Sequence, residues 1–262
     1  MEPLIIVATP NICWLKPGVP YPKNAVEIAE ETVLCQKAGA SVLHIHGEGQ
    51  WKEVHEEVRK RCDIIIQSGM SSFTLQERIE VFELKTEMVS IILNHHAEAF
   101  AEVDCNMLHT LEELVEYAEA CREYGVKPEF EVWHSGSIWN LNRLIERNLL
   151  DAPYITTLFF GWPGGTWSPP TVEEYLYRRK MMPENCACTV SIMDEKQMDI
   201  LVAAIMNGDN VRVGTEDYPY DRSGKVCATH ELVAEIADIS RKLGRPIATA
   251  GDARNILGIG GK

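Results

Sequence analysis

Short runs rich in β-branched and apolar residues alternate along this chain with longer stretches whose apolar positions return every three or four residues. The short runs predict strands near 4–10, 41–47, 62–69, 88–94, 128–134, 154–161, 186–193 and 210–217. The intervening pattern predicts helices over 24–38, 50–60, 74–85, 110–124, 137–148, 171–181, 195–207 and 229–243, with a short closing helix at 249–257. Thr110-Leu-Glu-Glu113 reads as a capping box, and Gly125 and Gly244 stand where helix-ending glycines belong. Eight strand–helix units in succession predict an α/β fold, a closed (β/α)8 TIM barrel, with an open doubly wound sheet as the alternative. No linker composition, charge block or internal repeat interrupts the alternation, so residues 1–262 are expected to form a single domain.

Composition narrows the partners more than the chemistry. With 262 residues and 45% hydrophobic content the chain can fill a large core. Its 25 basic against 39 acidic residues give a formal charge of −14, which disfavours nucleic acid and anionic membrane surfaces. No apolar run approaches the ~18 residues of a spanning helix, and Met1-Glu2 leads into a strand rather than a signal peptide, so a cytoplasmic location is expected. Cys35, Cys62, Cys121, Cys186, Cys188 and Cys227 sit in or beside periodic elements, which predicts reduced thiols. Cys186-Ala-Cys188 lacks a second pair and reads as two small buried side chains rather than a metal site.

Candidate chemistry enters through two strings that otherwise look like buried strands. Side chains alternate faces along a strand, so His44 and His46 share one face while Leu43 and Ile45 take the other. The same parity groups Arg212, Gly214 and Glu216 opposite Val211 and Val213. In a barrel His44, His46 and Glu216 fall at the carboxyl ends of strands two and eight, where active sites of this fold lie. Two imidazoles and a carboxylate suit zinc with an open position, and iron, manganese or cobalt fit the same set. Arg212 on an inward face needs a buried carboxylate or an anionic substrate, and Glu131 is a candidate partner that would only brace the barrel. Asp217 has the opposite parity to Glu216, which, unless the strand has already ended there, fits a general base, or a simple turn former, better than a ligand of the same ion. Gly161-Trp-Pro-Gly-Gly165 either makes a turn or presents backbone N–H groups.

These strings, with Met1-Glu-Pro-Leu-Ile-Ile at the start and Leu243-Gly-Arg-Pro-Ile-Ala-Thr249 and Ala253-Arg-Asn-Ile-Leu257 near the end, resemble the β-keto acid cleavage enzymes across nearly the whole chain. The resemblance implies a zinc-dependent barrel enzyme that condenses a β-keto acid with acetyl-CoA to give acetoacetate and a new acyl-CoA. It implies His44, His46 and Glu216 as metal ligands, Asp217 and Arg212 as catalytic groups and Ser68 as a substrate-facing, catalytic hydroxyl. Asn94, His95 and Gly164 fall at further substrate-binding positions, and a homotetramer or homodimer is the implied assembly. The chain departs from the pattern in its pocket. Gly47-Glu48 follows the His-x-His where a basic–acidic pair is usual, Gly69-Met70-Ser71 replaces Thr-Gly-Gly, and an acidic residue usual after strand one is replaced around Cys13-Trp14. Asn94-His95-His96 stands where a threonine-containing turn is typical, and its histidines fit a pocket acid or base, an extra ligand, or surface residues. Two other readings stay open: another metal-dependent barrel lyase or hydrolase, and a metal-retaining barrel that binds without turnover.

Overall fold

The computed structural model describes residues 2–13, 18–47, 49–98, 105–162 and 168–260. Eight parallel strands close into a barrel: β1 (Ile6–Ala8), β2 (Val42–Ile45), β3 (Ile65–Ser68), β4 (Met88–Ile92), β7 (Lys127–Val132), β8 (Tyr154–Phe160), β9 (Cys186–Ile192) and β10 (Asn210–Val213). Each neighbours the next in that order, and β10 returns to β1 through Ile6 opposite Val211 and Ala8 opposite Val213. The helices are α1 (Ala25–Ala38), α2 (Trp51–Arg61), α3 (Leu75–Glu83), α4 (Leu111–Tyr124), α5 (Ser135–Glu146), α6 (Val172–Met181), α7 (Gln197–Asn207), α8 (Thr229–Lys242) and α9 (Ala250–Leu257). The barrel expected from the alternation is therefore the fold. Among the described residues no helix is long and apolar enough to cross a membrane.

Two elements were not anticipated. β5 (His95–Glu98) and β6 (Cys105–Leu108) pair antiparallel as a separate hairpin between β4 and α4. Neither carries an apolar alternation, so periodicity gave no signal for them. β10 stops at Val213 instead of running to 217, and Gly214–Asp217 forms a turn. The capping box at Thr110 is present, with the Thr110 N–H donating to Glu113 Oε2 at 2.6 Å and the Glu113 N–H to Thr110 Oγ1 at 3.2 Å. Cys35, Cys62, Cys121, Cys186, Cys188 and Cys227 are free thiols.

The barrel has an apolar floor and a polar mouth. Ile5, Val7, Val42, Ile65, Met88 and Ile155 point inward at the amino-terminal end, where Ala253 and Leu257 of α9 pack beneath them. The alternate residues, such as Leu43, Ile45, Ile66, Val89 and Ile91, face outward and pack in one large cluster with the helices. Closure of the floor confines the polar inward positions to the upper layers, at the carboxyl ends of the strands.

Three arginines are the largest fully buried side chains. Arg78 donates to the carbonyls of Ser90 (2.9 Å), Ser71 (3.2 Å) and Phe73 (3.1 Å), and its guanidinium lies over Tyr117. Arg178 donates to Val132 O at 3.0 Å and to Phe159 O, joining the ends of β7 and β8, and stacks 3.7 Å over Phe160. Arg245 serves the carbonyls of Ile205, Gly208 and Asp209 ahead of β10. Each satisfies buried carbonyls that the sheet and helices leave unpaired. Burial draws the Arg178 pKa down to about 9, so it remains a cation at neutral pH. Replacing Arg178 by Met strands two buried carbonyls at roughly 1–3 kcal/mol each, so Arg178→Met is expected to lower unfolding stability by about 2–6 kcal/mol in urea melts. A loss within 0.5 kcal/mol would show that water or backbone adjustment meets the same need.

Candidate metal and acid–base site

The site begins with the register of β2. His44 points inward and His46 follows on the same side just past the strand end, while Leu43 and Ile45 pack outward. Asn11, beyond β1, holds the second histidine's backbone from both sides: its Nδ2 donates to His46 O at 2.6 Å and its Oδ1 accepts from the His46 N–H at 3.1 Å. On the other flank of β1 the turn after β10 folds back over the barrel mouth. The Glu216 N–H reaches Thr9 O at 3.4 Å, Thr215 Oγ1 donates to Pro10 O at 2.9 Å, and the Asp217 N–H bonds Gly214 O at 3.2 Å. Gly214 lies so close to β1 that a Cβ there would stand 2.4 Å from Thr9 O.

This turn corrects the parity argument. Glu216 and Asp217 are not on opposite faces of a strand, because the strand has ended, and both carboxylates come back to Arg212. Arg212 Nη2 lies 2.7 Å from Glu216 Oε1 and 2.9 Å from Asp217 Oδ1, and Arg212 Nε lies 3.1 Å from Asp217 Oδ2. Glu131 is not the bracing partner weighed from sequence. It accepts instead from Trp133 Nε1 at 2.9 Å and from the Ser71 hydroxyl, and contributes only its nearby charge to Arg212.

Three donor groups converge beside this triad. His44 Nε2 and His46 Nε2 are 3.3 Å apart, His46 Nε2 is 3.2 Å from Glu216 Oε1, and His44 Nε2 is 3.5 Å from Glu216 Oε2. Among the described residues this is the one His/Cys/Asp/Glu group whose donors could share an ion. Four-coordinate zinc with bonds of about 2.0–2.1 Å sets its donors ~3.3 Å apart, close to the 3.3 Å between the imidazole nitrogens and to the 3.2 and 3.5 Å that separate them from the two Glu216 oxygens. Gly69, at the inward position after β3, makes the room: a Cβ there would lie 2.8 Å from both His44 Nε2 and His46 Cε1.

Electrostatics separates the members. Burial, aided by the Arg212 charge, lowers the His44 pKa to about 3, which keeps its imidazole neutral. Burial also opposes the Glu216 charge, but Arg212 and the two histidines outweigh it and hold the carboxyl well below its usual range. For Asp217 burial wins over Arg212, and with the Glu216 charge beside it the pKa rises to about 6.

The chain matches the sequence profile of the beta-keto acid cleavage enzyme family over residues 3–259. It belongs to that family. A 3-keto-5-aminohexanoate cleavage enzyme from Acetoanaerobium sticklandii is 31% identical, across 99% of this chain and 99% of that enzyme. A 3-dehydrocarnitine:acetyl-CoA trimethylamine transferase from Rhizobium meliloti is 26% identical across 90% of this chain and 89% of that protein. Among solved structures, apo ObcA superposes with a TM-score of 0.77 at 18% identity, over 92% of this chain and 66% of that one. That likeness is one of fold.

Within this β-keto acid cleavage enzyme family member, the expected pocket residues scatter. Ser68 faces outward, because the inward positions of β3 are Gln67 and then Gly69; its hydroxyl bonds Thr86 Oγ1 at 2.9 Å and His55 Nε2 at 3.3 Å behind the sheet. The substrate-facing hydroxyl expected there is thus absent from the barrel mouth. Asn94 adopts φ 73° and spends its amide on His109 O at 2.8 Å, which anchors the hairpin. His95 sits on β5 and pairs with Asn106 Oδ1 at 2.8 Å on the exposed side, while His96 is buried against Trp133 with ring centroids 3.8 Å apart. Gly164 lies outside the described residues. Sequence reasoning missed Gln67, Gly69 and Asn11. For the first two the signal was available, since a polar residue and then a glycine occupy inward positions of an apolar strand; for Asn11, in a loop after a short strand, there was none. Gly69→Ala is expected to force the imidazoles apart and weaken zinc uptake about 10–100-fold, the scale seen when groups supporting a metal site are disturbed. Equilibrium dialysis checks this, and wild-type affinity in a folded variant would contradict it.

Proposed function

We propose that this chain is a zinc-dependent β-keto acid cleavage enzyme that condenses a β-keto acid with acetyl-CoA to give acetoacetate and a new acyl-CoA. Family membership supports an enzyme of the keto acid cleavage and acyl-transfer kind. The observation that carries the finer reading is the split between two adjacent carboxylates on one guanidinium, Glu216 held ionised and Asp217 raised to about 6. Titratable neighbours pushed apart in this way suit different tasks, one as a permanent anion and one as a proton acceptor near neutrality. On the same reading residues 1–262 form one catalytic domain that works in the cytoplasm as a homodimer or homotetramer.

His44, His46 and Glu216 would hold the ion. A divalent ion there supplies Lewis-acid polarisation of the substrate's keto oxygen. Asp217 takes a proton from C2 of the keto acid, and Arg212, donating through Nε and Nη2, keeps the receiving carboxylate aimed and offers its charge to the substrate carboxylate. C2 then attacks the acetyl thioester carbon and expels the CoA thiolate. That thiolate adds to the original keto carbon, the bond from this carbon to C2 breaks, and the proton on Asp217 returns to C2 of the departing acetoacetate. The acyl group leaves on CoA, and atoms and charge balance without a redox cofactor.

Separate variants distinguish the two carboxylates. Glu216→Gln, His44→Ala and His46→Ala are expected to lose bound metal, whereas His55→Ala, behind β3, keeps it. Asp217→Asn is expected to keep metal yet lose about 10²–10⁴-fold in kcat, because an amide cannot accept the C2 proton. Elemental analysis beside an acetoacetate assay on a panel of short β-keto acids reads both. Full metal in the histidine variants, or full turnover in Asp217→Asn, would reject the assignment, and metal without turnover on any substrate would favour a binding protein.

The pH profile gives an independent check. Asp217 must be deprotonated to act, so kcat/KM should rise with pH as a one-proton limb and level off above a midpoint near or below 6, since a bound cation beside it favours the anion. Activity that falls as pH rises from 5 to 7 would show that the group acts as its acid.

A further inference from the structure

The cluster needs one further thing that its three residues do not supply. A neutral imidazole offers a lone pair on only one nitrogen, and His44 can face an ion through Nε2 only if its proton sits on Nδ1. At Nδ1 stands Gln67 Oε1, 3.0 Å away, and the other end of that amide, Nε2, donates to Glu129 Oε2 at 2.9 Å. His44, Gln67 and Glu129 are 1–3% exposed and occupy inward positions of β2, β3 and β7. The chain of hydrogen bonds therefore crosses the barrel interior above its apolar floor.

We propose that Glu129 is a positioning residue which, through the amide of Gln67, sets the tautomer of His44 and so readies Nε2 for a metal ion. A glutamine amide has no preference of its own for which end faces a neighbour; its partners decide. Turned over, Gln67 would present an N–H to His44 Nδ1, the imidazole proton would move to Nε2, and that N–H would point at His46 and Glu216 where a lone pair is required. As a carboxylate, Glu129 Oε2 opposes the turn because it can only accept, and a turned amide would face it with an oxygen. Burial with Glu131 nearby raises the Glu129 pKa to about 8. The carboxylate form is therefore the one that fixes the amide, and the tautomer is read above pH 8. The inference rests on the metal reading of His44, but tautomer and metal binding can be measured apart.

The test is ¹⁵N NMR of the histidine side chains in the metal-free protein, beside zinc affinity by competition with a chelator. The wild type should show His44 with its proton on Nδ1. Glu129→Leu removes the acceptor and should raise the Nε2–H population and weaken zinc binding about 10–100-fold. In the paired variant Gln67→Glu/Glu129→Gln both hydrogen bonds keep their direction, since Glu at 67 accepts from His44 Nδ1 and from the amide at 129. That pair should retain the Nδ1–H tautomer and bind zinc more tightly than Glu129→Leu. An unchanged tautomer in folded Glu129→Leu, or loss of the Nδ1–H form in the paired variant, overturns the proposal, and the paired variant decides alone if Glu129→Leu does not fold. A changed tautomer with unchanged zinc affinity would leave the relay standing and count instead against His44 as a ligand.

Discussion

Everything at the barrel mouth depends on one buried cation holding two carboxylates. Arg212 is 3% exposed, and taking a guanidinium out of water costs several kcal/mol unless anions meet it. Glu216 and Asp217 meet it at 2.7 and 2.9 Å, but one positive charge cannot fully compensate two negative ones in a low-dielectric site. The deficit falls on Asp217, whose pKa rises, while Glu216 also has two imidazoles to lean on and stays ionised. A divalent cation beside Glu216 would complete the balance that Arg212 begins, so the same deficit of positive charge that raises the Asp217 pKa would favour a cation at the adjacent cluster.

How much of this was legible follows from which parts obey a periodic rule. The barrel was legible because eight strands and their helices each carry a repeat of two or near 3.6, and closure follows from their order. His44 and His46 were legible for the same reason, being two residues apart on a strand. Glu216 and Asp217 were found by their string, but their geometry was misjudged, because a parity rule was carried past Val213 into a turn that Gly214 and its contact with Thr9 impose. Ser68 failed the other way: the rule applied, and it places residue 68 behind the sheet once Gln67 is known to face in. The hairpin of β5 and β6 was invisible because its pairing carries no apolar alternation.

The mouth is chemically divided. On the side of β1, β2 and β10 stand the histidines, the carboxylates and Arg212. On the side of β4, β7, β8 and β9, Ile92, Trp133, Phe159, Trp162 and Met193 form an apolar cluster, with the Glu131 carboxylate bonded to Trp133 beside it. Trp133 stacks on Phe159 with centroids 4.1 Å apart and takes His96 of the hairpin on its other flank at 3.8 Å. The seam between the halves is Arg212 itself, whose guanidinium carbon lies 5.1 Å from the Phe159 ring centroid.

That division explains why the polar half can be so exacting. Aromatic side chains have few rotamers, so the Phe159 ring beneath Arg212 gives the guanidinium a stiff, apolar backing on one side. Arg178, buried behind the sheet, in turn ties the carbonyls at the ends of β7 and β8 from which Trp133 and Phe159 project. A side chain that touches neither carboxylate thus braces the strand ends that carry the wall beside Arg212. Arg212 and Phe159 stand on barrel strands and the two carboxylates on the turn that β1 holds down, so the barrel itself sets the geometry of the pair.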